Sequence, residues 1–390
     1  MSKLEELIQQ YCPDGVEYVK LGQVCSILRG KRLTKSQLKQ DGKYKVFHGG
    51  TEPIGFFDEY NREGNTTMII NVGASAGTVG YSIDNFWSSD GCFCLSHSPL
   101  MLGRYIYFYL KTTEHFLMSR VRKAGIPTLD GKVLEQLEIP LPPLPVQEEI
   151  VRILDTFTEL QAELQAELQA RQLQYQFYRD KLFAFDDRTD IKYKKLGDIG
   201  TEWYRGAGIK KDEVRQEGMP CIRYGEIHTT YNVWFDKCVS HTDESLQQSK
   251  KYAEYGDILF AITSEDIPMI GNSVAYLGKE KILVGGDIVV MKHNLNPRYL
   301  AYALSTTDAV MQKGKGKVKS KVVHTNVPSL KEIVIPIPSL EEQERIATTL
   351  DHFDSLVNDL SKGLPAEIEA RKQQYEYYRD KLLTFKKKYE

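Results

Sequence analysis

The sequence is poor in cysteine, has no long apolar run and carries no excess of either charge. Its six cysteines, Cys12, Cys25, Cys92, Cys94, Cys221 and Cys238, are too few to staple a chain of 390 residues. Only Cys92 and Cys94 are neighbours, and one Cys-x-Cys without a second pair is not a zinc site. All six read as buried or half-buried thiols in a reducing cytoplasm. No stretch approaches the roughly 18 apolar residues of a membrane span, so no membrane partner is expected. The opening Met1-Ser2-Lys3-Leu4-Glu5-Glu6 lacks the apolar core of a secretory signal, which points to a cytoplasmic location. Lysine and arginine number 51 against 53 acidic residues, for a net charge of −2. A global basic attraction to nucleic acid is therefore excluded. Local clusters of charge are not excluded, and they matter more than the sum.

The common catalytic signatures are missing too. There is no Gly-x-x-x-x-Gly-Lys-Ser/Thr for a P-loop nucleotidase, and no Gly-x-Gly-x-x-Gly follows a strand. Glu-x-Lys occurs nowhere, which argues against the common carboxylate-lysine core of nucleases. Pro142-Pro143 lacks the polar residue and aromatic that adenine methylases place around such a pair. The eight histidines do not cluster at metal-ligand spacing, so no metal site is expected. One motif remains. Gly73-Ala74-Ser75-Ala76-Gly77 has the form of a nucleophile elbow, which would make Ser75 the nucleophile of a hydrolase. An elbow needs a helix directly after it, whereas Thr78-Val79-Gly80-Tyr81 reads as strand or turn. These glycines are expected to shape a hairpin, and no complete catalytic constellation is present.

What the sequence does have is a duplication. Tyr-x-x-Tyr-Arg-Asp-Lys-Leu occurs at 175–182 and again 200 positions on, at 375–382. Ile-Pro-x-Pro-x-Leu followed by Gln-Glu occurs at 139–148 and again 196 positions on, at 335–344. The second copy thus carries four extra residues between the blocks. The fronts of the copies match more weakly: Tyr18-Val19-Lys20-Leu21-Gly22 resembles Tyr193-Lys194-Lys195-Leu196-Gly197, and an Arg-Gly pair follows in each, at Arg29-Gly30 and Arg205-Gly206. A period near 200 residues is a two-fold duplication, not a solenoid. The chain reads as globule, helix, globule, helix. Such an object suits a partner that is two-fold, or linear with two stations, as duplex DNA is.

The helices announce themselves by period. Ile153, Phe157, Leu160, Leu164, Leu168, Arg171, Tyr175, Tyr178, Leu182 and Phe185 follow a heptad seam with one four-residue stutter. Ile346, Leu350, Phe353, Val357, Leu360, Leu364, Ile368, Arg371, Tyr375, Tyr378, Leu382 and Phe385 form the second seam. Forty residues of helix would reach roughly 60 Å, and neither stripe can be buried alone. Pairing the two helices antiparallel, between the globules, buries both. Gly363-Leu364-Pro365 predicts a break in the second. The first contains a tetrapeptide repeat, Glu-Leu-Gln-Ala three times over 159–170. Each unit adds about one turn, or ~6 Å, while nearly preserving the apolar face. The repeat can be read as a strong helix former or as a spacer adjustable in steps of one or two base pairs.

Residues 15–140 and 190–336 are strand-rich with frequent turn signals, as in Thr66–Val72, Gly256–Ile262 and Gly286–Met291. Helical patches are expected at Arg104–Met118 and Pro297–Met311. The fold class is thus α/β (α+β), duplicated, with curved mixed sheets and a pseudo-two-fold arrangement about a long antiparallel two-helix coiled coil. Basic character is local. Lys313, Lys315, Lys317, Lys319 and Lys321 fall in nine residues with no acid, a pattern that suits a loop laid along phosphates and equally a solvated loop. Arg29, Lys31, Arg32 and Lys35 cluster in the first globule, and Arg205, Lys210 and Lys211 at the corresponding place in the second. His48, Arg223 and Ser264 are candidates for base-edge contact by residue type and loop position, with Ser75 a further DNA-facing candidate.

Taken together, the two proline-rich segments at 139–148 and 335–344 and the two Tyr-x-x-Tyr-Arg-Asp-Lys-Leu segments make the chain resemble, over nearly its whole length, the specificity subunit of type I restriction-modification enzymes. The resemblance implies two target recognition domains alternating with two helical regions: 1–140, then helix 141–187, then 188–336, then helix 337–390. It implies a subunit that is not an enzyme by itself. Each recognition domain would read one half of a bipartite site in double-stranded DNA, and the helices would set the gap, with the tetrapeptide repeat as its gauge. Two adenine methyltransferase subunits would dock on the helices near Gln147, Tyr178, Arg179 and Asp180 and near Gln343, Tyr378, Arg379 and Asp380, residues that equally suit pairing with the opposite helix. A motor-nuclease subunit would join where cleavage is needed. S-adenosylmethionine, ATP and magnesium would belong to those partners, with no cofactor in this chain. Two other readings stand beside it: a serine hydrolase using Ser75, and a coiled-coil scaffold that binds protein alone.

Overall fold

The computed structural model describes residues 2–186, 188–247, 249–315, 321–358 and 363–388. It divides into two compact units. One comprises Met1–Leu164 with Ile368–Glu390, and the other Gln165–Glu367. Each unit therefore contains one globule, half of the central helix and part of the C-terminal helical region.

In the first unit the globule is closed at its base by its own ends. Strand Tyr18–Lys20 pairs antiparallel with Glu138–Pro140. A four-stranded sheet runs in the order Cys25–Arg29, Cys92–His97, Thr66–Ile70, Val79–Ser82. A three-stranded sheet follows the order Pro53–Phe57, Tyr44–Phe47, Phe86–Ser88, and its last pair is parallel. The helix Gly103–Ser119 buries Tyr105, Ile106, Phe108, Leu110 and Leu117 in the core beneath the first sheet.

The second unit repeats this plan with longer sheets. Lys192–Lys195 pairs antiparallel with Val334–Ile337. One five-stranded sheet has the order Glu202–Arg205, Ile288–Lys292, Ile258–Ala261, Ser273–Tyr276, Trp234–Phe235. The other contains the parallel pair Met219–Ile222 and Ile282–Val284. The mixed sheets and the helical patches agree with the sequence, with one difference. The expected helix Pro297–Met311 is two helices, Pro297–Ser305 and Thr307–Gly314. Thr306 is extended, and its hydroxyl accepts the Ala309 amide, so it caps the second helix and ends the first.

The central helix is continuous over 39 residues, Leu144–Leu182. The C-terminal region is not continuous. One helix, Leu340–Val357, precedes a second, Gly363–Leu382. Gly363 has φ +67°, and a Cβ there would lie 2.4 Å from the Leu356 carbonyl oxygen. Glycine thus permits the left-handed backbone at the start of the second helix, where the Gly-Leu-Pro run predicts a break. The heptad residues do pack. In the first unit Ile153 is half-buried against the core and Phe157 stacks on Tyr378 with centroids 5.7 Å apart, while the fully buried positions of this stretch, Ile150 and Leu154, lie outside the expected seam. In the second, Tyr175 is buried and Tyr178 stacks on Phe353 at 6.3 Å. All six cysteines are free thiols. Burial pushes Cys25, Cys92, Cys221 and Cys238 up to about 12, which leaves them inert.

Candidate nucleic-acid interface

The strand topology brings the basic Arg-Gly pairs to equivalent places. Gly30 follows Cys25–Arg29, and its amide donates to the Cys92 carbonyl. Gly206 follows Glu202–Arg205, and its amide donates to the Ile288 carbonyl. A Cβ on Gly30 would sit 2.1 Å from the Ser89 oxygen, and one on Gly206 would sit 2.2 Å from the Gly285 oxygen. Only glycine lets the chain leave the strand this close to its neighbour. Arg29 Nε donates to the Asp90 carbonyl at 3.4 Å. Arg205 Nε donates to the Gly286 carbonyl, and its Nη2 lies 2.5 Å from Asp287 Oδ1. Both arginines thus brace the loop that the pair crosses.

His48 and Arg223 also prove equivalent. Each is the first residue after the strand that forms the parallel pair, Tyr44–Phe47 in one unit and Met219–Ile222 in the other. Each abuts the loop held by the Arg-Gly pair. His48 Nδ1 lies 3.3 Å from Asp90 Oδ1. Arg223 Nε lies 3.6 Å from Glu226 Oε1. Arg223, Lys211 and Asp287 share the wall of a cleft of about 490 Å³. Lys31, Arg32 and Lys35 are exposed beside the Arg29-Gly30 corner, and Lys210 and Lys211 are exposed in the second globule. Lys210 Nζ is 4.0 Å from Glu213 Oε1, a solvent-exposed pair of little energetic consequence.

Several expected contacts are corrected by burial. Lys313 is not part of a phosphate-facing run. It is buried on the helix Thr307–Gly314 and donates to the Leu304 carbonyl at 2.8 Å and to Ser273 Oγ at 3.3 Å. Burial first, and then the charge of Arg179, holds its ammonium down to about 7. Lys315 and Lys321 are exposed, whereas Lys317 and Lys319 lie outside the described residues. Ser264 is also buried, in the short strand Thr263–Ser264 and not in an exposed loop, and its hydroxyl accepts the Asp266 amide. Ser75 is exposed in the turn between Thr66–Ile70 and Val79–Ser82. A strand follows it, not a helix, so the turn is not a nucleophile elbow.

The helix candidates divide. Gln147 and Gln343 are completely buried and are spent on their own units, which corrects their assignment to a docking surface. Gln147 Oε1 accepts the Leu102 amide, and its Nε2 donates to the Leu100 and Pro142 carbonyls. Gln343 Oε1 accepts the Asn296 amide, and its Nε2 donates to the Pro338 carbonyl. Arg179 pairs with the adjacent Asp180 at 2.9 Å, and Arg379 with Asp380 at 2.7 Å. Asp180 also accepts the Thr307 amide. Tyr178 and Tyr378 remain 41% and 37% exposed, enough to meet a partner.

Sequence reasoning missed the ties between globule and helix. Arg104 Nε lies 2.7 Å from Asp155 Oδ1, and Arg298 Nη1 lies 2.5 Å from Asp351 Oδ2. Tyr105 and Tyr299 donate to the Pro140 and Pro336 carbonyls. A signal was present: Asp155 and Asp351 each stand eight residues after the repeated glutamine. Glu226 behind Arg223 was missed as well, since nothing in an isolated Arg-x-x-Glu marks the acid as buried.

Comparison with known proteins accords with this geometry. Residues 13–171 and 188–370 match the type I restriction modification DNA specificity domain. A putative type I restriction enzyme specificity subunit of Haemophilus influenzae is 31% identical over 95% of this chain and 96% of its own length. The specificity subunit of a type I restriction enzyme of Escherichia coli is 31% identical over 73% of this chain and 72% of its own. Among solved structures, the S subunit of a type I restriction-modification system from M. genitalium shares the fold with TM-score 0.57 at 18% identity, covering 95% of this chain and 96% of that one. A chain from a study of complex assembly in the type I system has TM-score 0.62 at 16% identity, covering 95% and 97%. The chain belongs to the type I restriction-modification specificity subunits, a family of DNA-recognition proteins.

Proposed function

We propose that each globule reads one half of a split site in double-stranded DNA, and that the helices fix the distance between the halves. The observation that carries this reading is a duplicated frame with different readers. Gln147 and Gln343, Tyr105 and Tyr299, and Arg104 and Arg298 repeat their contacts in the two units. The strand-end residues at the basic corner do not repeat: one is His48 and the other Arg223. A frame kept constant under a changed surface is what two different half-sites require. Exposed lysines and arginines at the corners, with Lys315 and Lys321, anchor phosphates, while strand-end side chains reach base edges. Two modest contacts joined by a stiff connector add as one bivalent contact.

The helices form an antiparallel coiled coil with approximate two-fold symmetry. The stacking of Phe157 on Tyr378 and of Phe353 on Tyr178 supports it, since each ring of one helical region meets the repeated motif of the other. Two methyltransferase subunits dock on this region around the exposed Tyr178 and Tyr378, and a motor-nuclease subunit joins for cleavage. The chain is itself non-catalytic. S-adenosylmethionine, ATP and magnesium are held by its partners in the cytoplasm. No helix among the described residues is long and apolar enough to cross a membrane.

The test is a methylome. The chain is expressed with a cognate methyltransferase subunit, and modified adenines are read by long-read sequencing. The expected result is a split motif, two short specific blocks around a fixed unspecific gap. An active methyltransferase with no split motif would end this reading and leave the protein-only scaffold.

A further inference from the structure

We infer that Arg223 is a specificity-determining residue that reads a guanine in the half-site of the second globule, with Glu226 as its positioning residue. The inference rests on the split-site reading above and assigns one base to one side chain.

The cleft supplies the first argument. Its volume of about 490 Å³ is of nucleotide size, and Gly208, Gly225, Gly285 and Gly286 line it. A Cβ on Gly208 or Gly225 would meet nothing within 4 Å, so the wall is open backbone that the edge of a base pair can approach. Arg223 projects from the end of its strand into this wall and retains 31% of its side-chain exposure.

The state of the guanidinium is the second argument. Arg223 Nε is buried and has no hydrogen-bond partner among the described residues. At 3.6 Å, Glu226 Oε1 balances the charge without making a hydrogen bond. Glu226 cannot move closer at no cost. Its Oε2 accepts the Arg223 amide at 3.0 Å, and its Oε1 accepts Ser240 Oγ at 2.6 Å. The carboxylate is therefore locked by its own helix and by a neighbouring strand. It orients the stem of Arg223 while leaving the Nη fork without a hydrogen bond to any of the described residues. A planar fork of two parallel donors matches guanine O6 and N7, and no other base edge in the major groove offers two acceptors in that arrangement.

The third argument is repetition. His48 stands at the same strand end of the first globule, again with a carboxylate, Asp90, beside it. Two globules with one frame thus place a donor backed by an acid at the same station, but choose different donors.

The experiment uses the full chain with its methyltransferase partner and reads the motif of wild type, Arg223→Lys, Arg223→Gln and Glu226→Gln. Lysine keeps the charge and loses the fork. If Arg223 reads guanine, Arg223→Lys and Arg223→Gln relax one position of one half-site by roughly 5- to 150-fold in discrimination, the span that a bidentate base contact supplies. The other half-site and the gap stay unchanged, which also shows that the variants fold. Glu226→Gln relaxes the same position by less. A uniform loss of modification in Arg223→Gln, rescued by Arg223→Lys with no position relaxed, would make Arg223 a phosphate contact and overturn the inference. An unchanged motif in all three variants would overturn it too. A wild-type chain that yields no split motif fails the underlying reading instead, so the two failures are distinct.

Discussion

Asp351 Oδ2 lies 2.5 Å from Arg298 Nη1, an ion pair between the helix Leu340–Val357 and the helix Pro297–Ser305 of the globule it follows. The other carboxylate oxygen accepts Tyr302 OH and Trp234 Nε1, both at 2.8 Å. One acid thus gathers three donors from two elements of the globule. Asp351→Ala leaves a phenol and an indole N–H without their acceptor and a half-buried guanidinium with Glu344 as its one remaining carboxylate among the described residues, at a cost of about 2–3 kcal/mol. A lowered thermal midpoint is expected, with Asp351→Asn intermediate. An unchanged midpoint in Asp351→Ala would show that the tie contributes nothing.

Gln147 and Gln343 supply the second prediction. Each holds a helix start to its own globule through an amide with no access to solvent. Replacement by leucine fits the volume but strands one backbone N–H and at least one carbonyl in the interior, which costs about 2–4 kcal/mol. Gln147→Leu and Gln343→Leu should each lower the denaturation midpoint. Neither is expected to abolish methyltransferase binding at permissive temperature, because neither side chain reaches the surface. Loss of partner binding with an unchanged midpoint would restore the docking role.

How much of this was legible beforehand follows from the physics of each signal. The duplication, the helical seams and the break at Gly363 were legible because periodicity, repeated motifs and a Gly-Leu-Pro run are properties of the chain itself. The mixed sheets followed from short apolar runs between turn residues. Thr306 splitting a helix was not legible, since a threonine inside an apolar pattern reads as tolerated until its hydroxyl is seen capping the next turn. His48 and Arg223 were selectable by residue type, but their equivalence depends on the parallel strand pairing. Lys313 was misassigned because a run of alternating lysines gives no sign that its first member still belongs to a packed helix.

That lysine gives the third prediction. Its ordinary value is 10.5, and burial brings it to about 7 in the folded chain. Below pH 7 both folded and unfolded chains carry the proton, and the folded chain bears the cost of an enclosed charge. Between pH 7 and 10.5 the unfolded chain binds a proton that the folded chain lacks, so this group makes stability rise with pH. Lys313→Met removes the titration and keeps the stem. The wild type should therefore gain on the variant in thermal midpoint as pH rises from 7 towards 10. A constant difference across that range would contradict a displaced lysine. In DNA binding by the assembled complex, Lys313→Met should leave the salt slope unchanged. Lys315→Ala and Lys321→Ala should each reduce it by about 1.

The last prediction concerns the tetrapeptide repeat, which straddles the boundary between the units at Leu164 and Gln165. Leu160, Leu164 and Leu168 are half-buried, while the glutamates and most of the other repeat residues face solvent. The repeat therefore contributes its leucines to packing and little else. Inserting one Glu-Leu-Gln-Ala unit lengthens the helix by ~6 Å and rotates everything beyond it by about 40°, since four residues slightly exceed one turn. The leucine stripe survives this rotation. The frames at Gln147 and Gln343 are untouched, because they lie within separate units. The methylome of the insertion variant should then show both specific blocks unchanged and a gap longer by one or two base pairs. Deletion of a unit should shorten it correspondingly. A changed base within either block, with the gap constant, would mean that the helix influences reading rather than spacing.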